Sequence, residues 1–456
     1  GLIPALPLNS DASHIVAPTA MYPFLLAARA QSHPLIVVTS SSRSSEDLVN
    51  ELRELYDNVL EFPAWETLPH ERLSPRSDTI AKRIQTLYAL QGKQQINPIV
   101  VTPVRGAIHR IISELGSIPL MKLEIGKEQS LDELVRHLSA LAYSRTDLVE
   151  RRGEFAVRGG IVDLFLPLSN HPIRIDFFGD EIEDLSYFEV ADQRTFKPVV
   201  GSVDIFPCRE LLLTKEIKHR AIEIKEDYPA AAEMLEKISE GMTFEGMESL
   251  IPLLIDNTES LLSRMPEGTQ LVFIDEQRIK TRAADLLATN EEFLNASWSN
   301  AAHGGIAPLH DGAGTYMSWD EFQEELTRTI ISKRELSPFG TDLDPDTTFL
   351  DYAAIDPMRG DIDRTVNALR QALEEHRTVV FATHGHGMLE RYAGIFRGAD
   401  LPVQIVEKLL ATPTKGSVHL TTSVIAHGFE SSDDQIFFMT ERDLTGSKGS
   451  VKDAER

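Results

Sequence analysis

The amino-acid sequence predicts a multidomain α/β protein. Three observations carry that prediction: its length, two different hydrophobic periods, and a change of character near residue 119. The chain has 456 residues, enough for about three domains at roughly 100–200 residues each. Short continuous apolar runs alternate with helical patterns at both ends of the chain, as buried parallel strands do. Between them, Ile173-Arg174-Ile175-Asp176-Phe177-Phe178 alternates strictly, as a strand with one wet face does.

In chain order, Ile15-Val16-Ala17 is a short strand, and Met21 to Ala30 is helix-like, with Pro23 tolerable only in its first turn. Leu35-Ile36-Val37-Val38 reads as a buried strand, Ser45 to Leu55 as a helix, and Pro98 to Thr102 as another buried strand. Ser77 or Asp78 is expected to cap a helix through Gln91, with Ile80, Ile84, Leu87 and Tyr88 on one face. Phe62 to Arg76 reads as a structured loop. Residues 119–205 predict a small antiparallel sheet from Glu154 to Phe188, with a turn at Gly179-Asp180 and a helix from Leu131 to Ala142. Helices return over 206–333 with one clear strand, Leu271 to Ile274. Residues 335–360 hold prolines and several Asp residues and are expected to be a linker or extended wrap. Residues 361–446 form a last, separate small α/β unit, with a helix bearing Ile362, Val366, Leu369 and Leu373. Its strands are expected at Val379 to Phe381, Gln404 to Val406, Ser423 to Ile425 and Ile436 to Phe438.

Seventy acids against 45 bases give a formal net charge of -25, which argues against nucleic-acid binding through the overall field. Cys208 is the only cysteine, so no internal disulfide can form, and a reducing cytoplasm fits. No 18-residue apolar run and no basic n-region is present, so neither membrane span nor secretory signal is expected. The chain begins at Gly1 without Met and ends in the charged stretch Lys452 to Arg456, as a fragment of something longer would.

A phosphate-binding loop needs glycines for its turn and a lysine for the phosphates. Residues 14–31, where one belongs, contain neither. Pro18, Thr19, Ala20 and Met21 stand there instead. Ile274-Asp275-Glu276 ends an apolar strand like a metal-holding acidic pair, but without the loop it is an orphan. His384-Gly385-His386-Gly387 and His427-Gly428 lack metal-ligand spacing and read as glycine-eased turns. No catalytic residue, metal site or cofactor is expected in this chain. Residues 60–110 carry seven Lys or Arg against four acids. Arg72, Arg76, Lys82 and Arg83 are therefore candidates for contact with DNA or with a neighbouring domain, against the plainer reading of internal pairing. In 153–178, an outward Phe178 beside Arg158 and Arg174 has the composition of a protein-binding hot spot. The plainer alternative covers Phe178 with a neighbouring domain and pairs the arginines with Asp176, Asp180 or Glu154.

Gly153-Glu154-Phe155-Ala156-Val157-Arg158-Gly159-Gly160-Ile161-Val162-Asp163-Leu164-Phe165, then Arg174 to Ile182, resembles the segment shared by the UvrB and Mfd families of DNA-repair proteins. Phe62-Pro63-Ala64-Trp65-Glu66-Thr67-Leu68-Pro69, Ser74-Pro75, Arg83 and Asp192-Gln193-Arg194-Thr195 resemble the Mfd family in particular, and the likeness runs across nearly the whole chain. The resemblance implies a degenerate RecA-like (P-loop-like) domain 1a over 1–118 and an inserted, UvrA-binding α+β domain 2 over 119–205. Domain 1b would follow over 206–334, a linker over 335–360, domain 3 over 361–446, and a tail over 447–456 toward further domains. It implies that Arg158, Arg174, Asp176 and Phe178 face UvrA, and that Pro18 to Met21 with Asp275 and Glu276 are a decayed nucleotide site. It also implies a loop 62–79 too short, and without tyrosine, to be UvrB's DNA-gripping hairpin. RNA polymerase, double-stranded DNA, ATP and Mg would be handled by C-terminal domains outside this chain, one of which would dock intramolecularly here. The alternatives are a UvrB-like ATP-dependent damage-loading protein or a purely autoinhibitory module.

Overall fold

The fold was analysed in a computed structural model, which describes residues 12–302, 314–340, 345–409 and 413–446. The expected tail over 447–456 lies outside the described residues.

Seven strands form a central, wholly parallel sheet. From edge to edge they are Thr347–Phe349, His14–Val16, Ser332–Ser337, Gln270–Ile274, Leu35–Thr39, Ile99–Pro103 and Val59–Glu61. Leu35–Thr39 and Ile99–Pro103 are buried at every position, as strands covered on both faces must be. The helix Tyr22–Ala30 starts as expected, with proline in its first turn. The helix Ser42–Leu55 follows Ser41, whose hydroxyl accepts the Ser44 N–H at 3.2 Å.

Several expectations need correction. The helix Ser77–Gln91 is capped by neither Ser77 nor Asp78; its N-cap is Arg76, with no side-chain cap of its own. Glu66 in the preceding loop accepts the Arg76 N–H and the Thr79 hydroxyl instead. Tyr88 is 40% exposed, off the buried face formed by Ile80, Ile84 and Leu87. The stretch 335–360 is not a mere linker. Ser332–Ser337 pairs on both sides within the central sheet, and Thr347–Phe349 forms its edge. Backbone pairing on two sides suffices for a strand whose side chains are mostly polar. Those side chains find partners: Arg334 Nε donates to Gln270 at 3.0 Å, and Lys333 meets Glu276 at 2.8 Å.

Six strands form a second sheet in the order Thr195–Pro198, Glu181–Phe188, Ile173–Phe178, Ile161–Leu164, Glu154–Arg158 and Ser144–Arg145. Its pairings are antiparallel except the last. In sequence it falls between two members of the central sheet, Ile99–Pro103 and Gln270–Ile274. The helix Leu131–Ala140 buries Leu134 and Leu138 against one face of it.

A third sheet runs Ala353–Ala354, Phe429–Ser431, Ile436–Thr440, Thr378–Thr383, Val418–Thr422, Val403–Ile405. The strand expected at Ser423 to Ile425 is displaced to Val418–Thr422. Gly428 is required for a reason other than a turn: a Cβ there would lie 1.9 Å from the Phe438 carbonyl oxygen. No such crowding exists at Gly385 or Gly387. Nor is this unit separate. Phe24 of the first helix packs edge-on against Phe429 and Phe438, centroids 5.4 and 5.9 Å away, inside one shared apolar cluster.

Around that cluster, the helix Ser42–Leu55 reaches the irregular segment 423–426 with two carboxylates. Glu54 accepts the Val424 N–H at 2.8 Å and the Ser423 hydroxyl at 2.5 Å, and Glu51 accepts the Ala426 N–H at 3.3 Å. These bonds explain why Ser423 to Ile425 leave the sheet. Burial pushes the Glu51 carboxyl from its ordinary 4.5 up to about 7, against the Ala426 N–H, which lowers it; Asp47 raises it further, while His427 and Arg442 lower it. A raised carboxyl favours the protonated folded state. Its stabilisation is therefore complete below the ordinary value and is lost as pH rises through about 7. At about 1.4 kcal/mol per pH unit the loss is about 3 kcal/mol. Glu51→Gln is predicted to flatten the fall in stability between pH 5 and 8 and to be about 2–3 kcal/mol more stable than the parent at pH 8. Urea denaturation at the two pH values checks this; an unchanged slope would refute it.

Candidate protein-docking face

The strand Ile173–Phe178 sends Ile173, Ile175 and Phe177 into the second sheet's core and Arg174, Asp176 and Phe178 to the other face. Gly179, at φ 63°, takes the left-handed turn that returns the chain as Glu181–Phe188. The registers align two rows across that outer face. One is Ala156, Asp163, Arg174 and Ser186; the other is Arg158, Ile161, Asp176 and Asp184. Just beyond the second row stands Phe178, which is 76% exposed. Among the described residues nothing covers it.

The predicted residues thus share one face but differ in state. Arg174 is largely committed within the protein. Its Nε and one terminal nitrogen donate to the two oxygens of buried Asp163 at 2.7 and 2.9 Å; the other donates to the Gln193 carbonyl at 3.1 Å. Its guanidinium lies 4.8 Å from the centroid of buried Phe188. The bond to Asp163 raises the Arg174 pKa above its already high value. Gln193, itself at φ 60°, holds the Val149 and Val190 carbonyls. The Asp192-Gln193-Arg194-Thr195 motif is therefore a turn anchored on Arg174. Arg158 is exposed and donates to the Asp147 carbonyl at 3.2 Å. Asp176 has its pKa raised by partial burial and by Asp184 directly across the strands, while Arg174 pulls it down. The acids expected to pair the arginines are Asp176, Asp180 and Glu154; Arg174 takes Asp163 instead, and Arg158 takes the Asp147 carbonyl. Cross-strand alternation is the signal that could have found Asp163.

At the expected nucleotide position, Pro18 precedes a short 3-10 turn of Thr19–Met21, and Met21 and Tyr22 are buried. The Tyr22 hydroxyl is buried without a hydrogen-bond partner; burial first, then Asp275 and Glu335, drive its pKa up. A phenol therefore takes the space beside Asp275. The orphan acids are occupied locally: Asp275, at φ 63°, accepts the Arg278 N–H at 3.2 Å, and Glu276 meets Lys333. This pocket holds an apolar ring against two carboxylates, the reverse of a phosphate cradle.

Of the four basic candidates in 60–110, Arg76, Lys82 and Arg83 pair internally. Arg76 meets Glu66 and Asp78, both at 3.3 Å, and Lys82 meets Glu61 at 3.4 Å. Arg72 sits at φ 51° with its carbonyl pressed against Gly246, where a Cβ would approach to 2.3 Å. Arg83 is fully buried, which removes it as a DNA contact. It binds Glu210 at 2.5 Å, the Pro63 carbonyl at 2.9 Å and His109 Nδ1 at 3.1 Å, and its guanidinium lies 4.2 Å from the Phe62 ring centroid. Burial and the neighbouring arginines push the His109 pKa well down, so its ring is neutral and accepts from Arg83. Among the described residues no group of three or more His, Cys, Asp or Glu gathers as a metal site. Nor is any described helix long and apolar enough to cross a membrane.

Comparison with known proteins places relatives around this geometry. A family model described as the UvrB interaction domain matches residues 121–211, which contain the whole outer face. The transcription-repair-coupling factor of Mycobacterium bovis is 36% identical over 98% of this chain and 38% of its own length. Those of Escherichia coli and Bacillus subtilis are 26% and 24% identical over 93% and 91% of the chain. The chain thus spans under two-fifths of the length of these curated relatives.

The two outward residues separate by stability. Arg174→Ala strands the buried Asp163 carboxylate and should cost about 2–4 kcal/mol in urea denaturation, whereas Phe178→Ala should stay within about 0.5 kcal/mol. Equal effects would contradict the division into anchor and contact.

Proposed function

From the kinship of nearly its whole length with transcription-repair-coupling factors, we propose that this chain is the non-catalytic N-terminal docking part of such a factor, acting in transcription-coupled nucleotide excision repair. Its antiparallel sheet receives the damage-recognition protein UvrA and brings it to RNA polymerase stalled at a lesion. The single observation that carries this reading is Phe178, 76% exposed at the end of a row holding Arg158 and Asp176. A large apolar ring left in water beside paired charges is what an interface anchor looks like before its partner arrives. The matched UvrB interaction domain encloses this face.

In this reading the central sheet is a RecA-like frame that has lost its nucleotide, with Tyr22 and Met21 in the phosphates' place. The second sheet is an insertion in that frame. Polymerase, double-stranded DNA, ATP and Mg are handled by the remainder of a longer cytoplasmic protein, and a later domain of it docks intramolecularly on this region.

Arg158→Ala and Phe178→Ala should each weaken UvrA binding by about 2 kcal/mol, roughly thirtyfold in Kd. Titration with purified UvrA checks this, with folding verified by the denaturation midpoint. Unchanged affinity in both variants would reject the face. Calorimetry with ATP and Mg should give no heat of binding.

A further inference from the structure

Away from that face, Leu141 and Ile205, which pack in the second sheet's core, meet residues 112–120, the helix Lys215–Ile224 and residues 254–257 around a cavity of about 460 Å³. That is the size of a small-molecule site. The inner wall is apolar: Ile84, Leu115, Leu141, Ile205 and Leu254 are buried there, and Ile217 packs beside them. The mouth is different. Glu114, Glu216 and Asp256 are exposed at it, and no lysine or arginine lines the cavity. Its own backbone N–H, the Thr214 hydroxyl and the neighbouring Lys215 hold the Glu216 carboxyl below the usual range. Arg220 lies a loose 4.0 Å from Asp256. The fourth acid of the lining, Glu210, is already neutralised by Arg83. The result is an apolar chamber with three exposed acids among its lining residues.

We propose that this cavity is a binding site for a small organic cation with an apolar body, an alkyl or aryl amine whose ammonium group rests among the mouth carboxylates. The two chemistries select together. An apolar body gains by leaving water for the chamber. An anion of the same shape is repelled at the mouth, and a neutral one loses the attraction. Because the wall draws on Leu141 and Ile205 from the sheet unit and Ile217 and Leu254 from the helical segment, an occupant joins the two and stiffens their junction.

The test uses the whole chain and three isosteres: 4-phenylbutylamine, 4-phenylbutanol and 4-phenylbutyrate, titrated by calorimetry at low and high salt. The amine should bind saturably and at least about tenfold more tightly than the carboxylate, with the preference shrinking as salt rises. The double variant Glu114→Lys with Glu216→Lys alters only exposed positions and should lose amine binding. Ile217→Trp should fill the chamber and abolish binding of all three. No saturable binding, equal binding of amine and carboxylate, or amine binding untouched by the double variant would each overturn the assignment.

Discussion

The buried contact between Arg83 and Glu210 is what the rest of the arrangement depends on. A guanidinium with no solvent exposure is tolerable only if its charge and its donors are met. Here they are met by three different parts of the chain: Glu210 from the segment after the second sheet, the Pro63 carbonyl and Phe62 ring from the loop before the third helix, and His109 from the exit of the central sheet. Removing any one leaves the others in an apolar interior. The contact therefore fixes where the second sheet leaves and re-enters the frame, and with it the direction in which its outer face points.

The same logic repeats on a smaller scale at Arg174. Its two-oxygen grip on Asp163 and its hold on the Gln193 carbonyl tie two strands and a loop into one rigid platform. Rigidity matters for a docking surface, because ordering that precedes binding need not be supplied by the partner. Arg158 and Phe178 can then be left unencumbered at the rim. Work is divided between residues that hold the surface and residues that offer it.

Much of this was readable from residue order. Alternation placed Phe177 inside and Phe178 outside, and the empty turn near Pro18 to Met21 followed from missing glycine and lysine. The failures have physical causes. Asp163 was passed over because partners were sought among sequence neighbours, whereas an antiparallel register brings in residues from the next strand. The sequence left Arg83 open between DNA, a neighbouring domain and internal pairing, because only tertiary structure supplies its four partners at once. Ser332–Ser337, with one apolar side chain, carries no strand signal of its own; the neighbouring strands impose it. The segment Ser423 to Ile425 has strand composition, but Glu54 from another unit claims the Val424 N–H and the Ser423 hydroxyl.

The placement of His14–Val16 has a consequence for synthesis. This strand lies between Ser332–Ser337 and Thr347–Phe349, both more than 300 residues later. Among the described strands it has no other neighbour, so it cannot pair until about three-quarters of the 456 residues have been translated. Contacts of such long sequence separation form slowly. During that interval the first strand emerges from the ribosome without its hydrogen bonds, and completion of the central sheet awaits chain elongation rather than local folding.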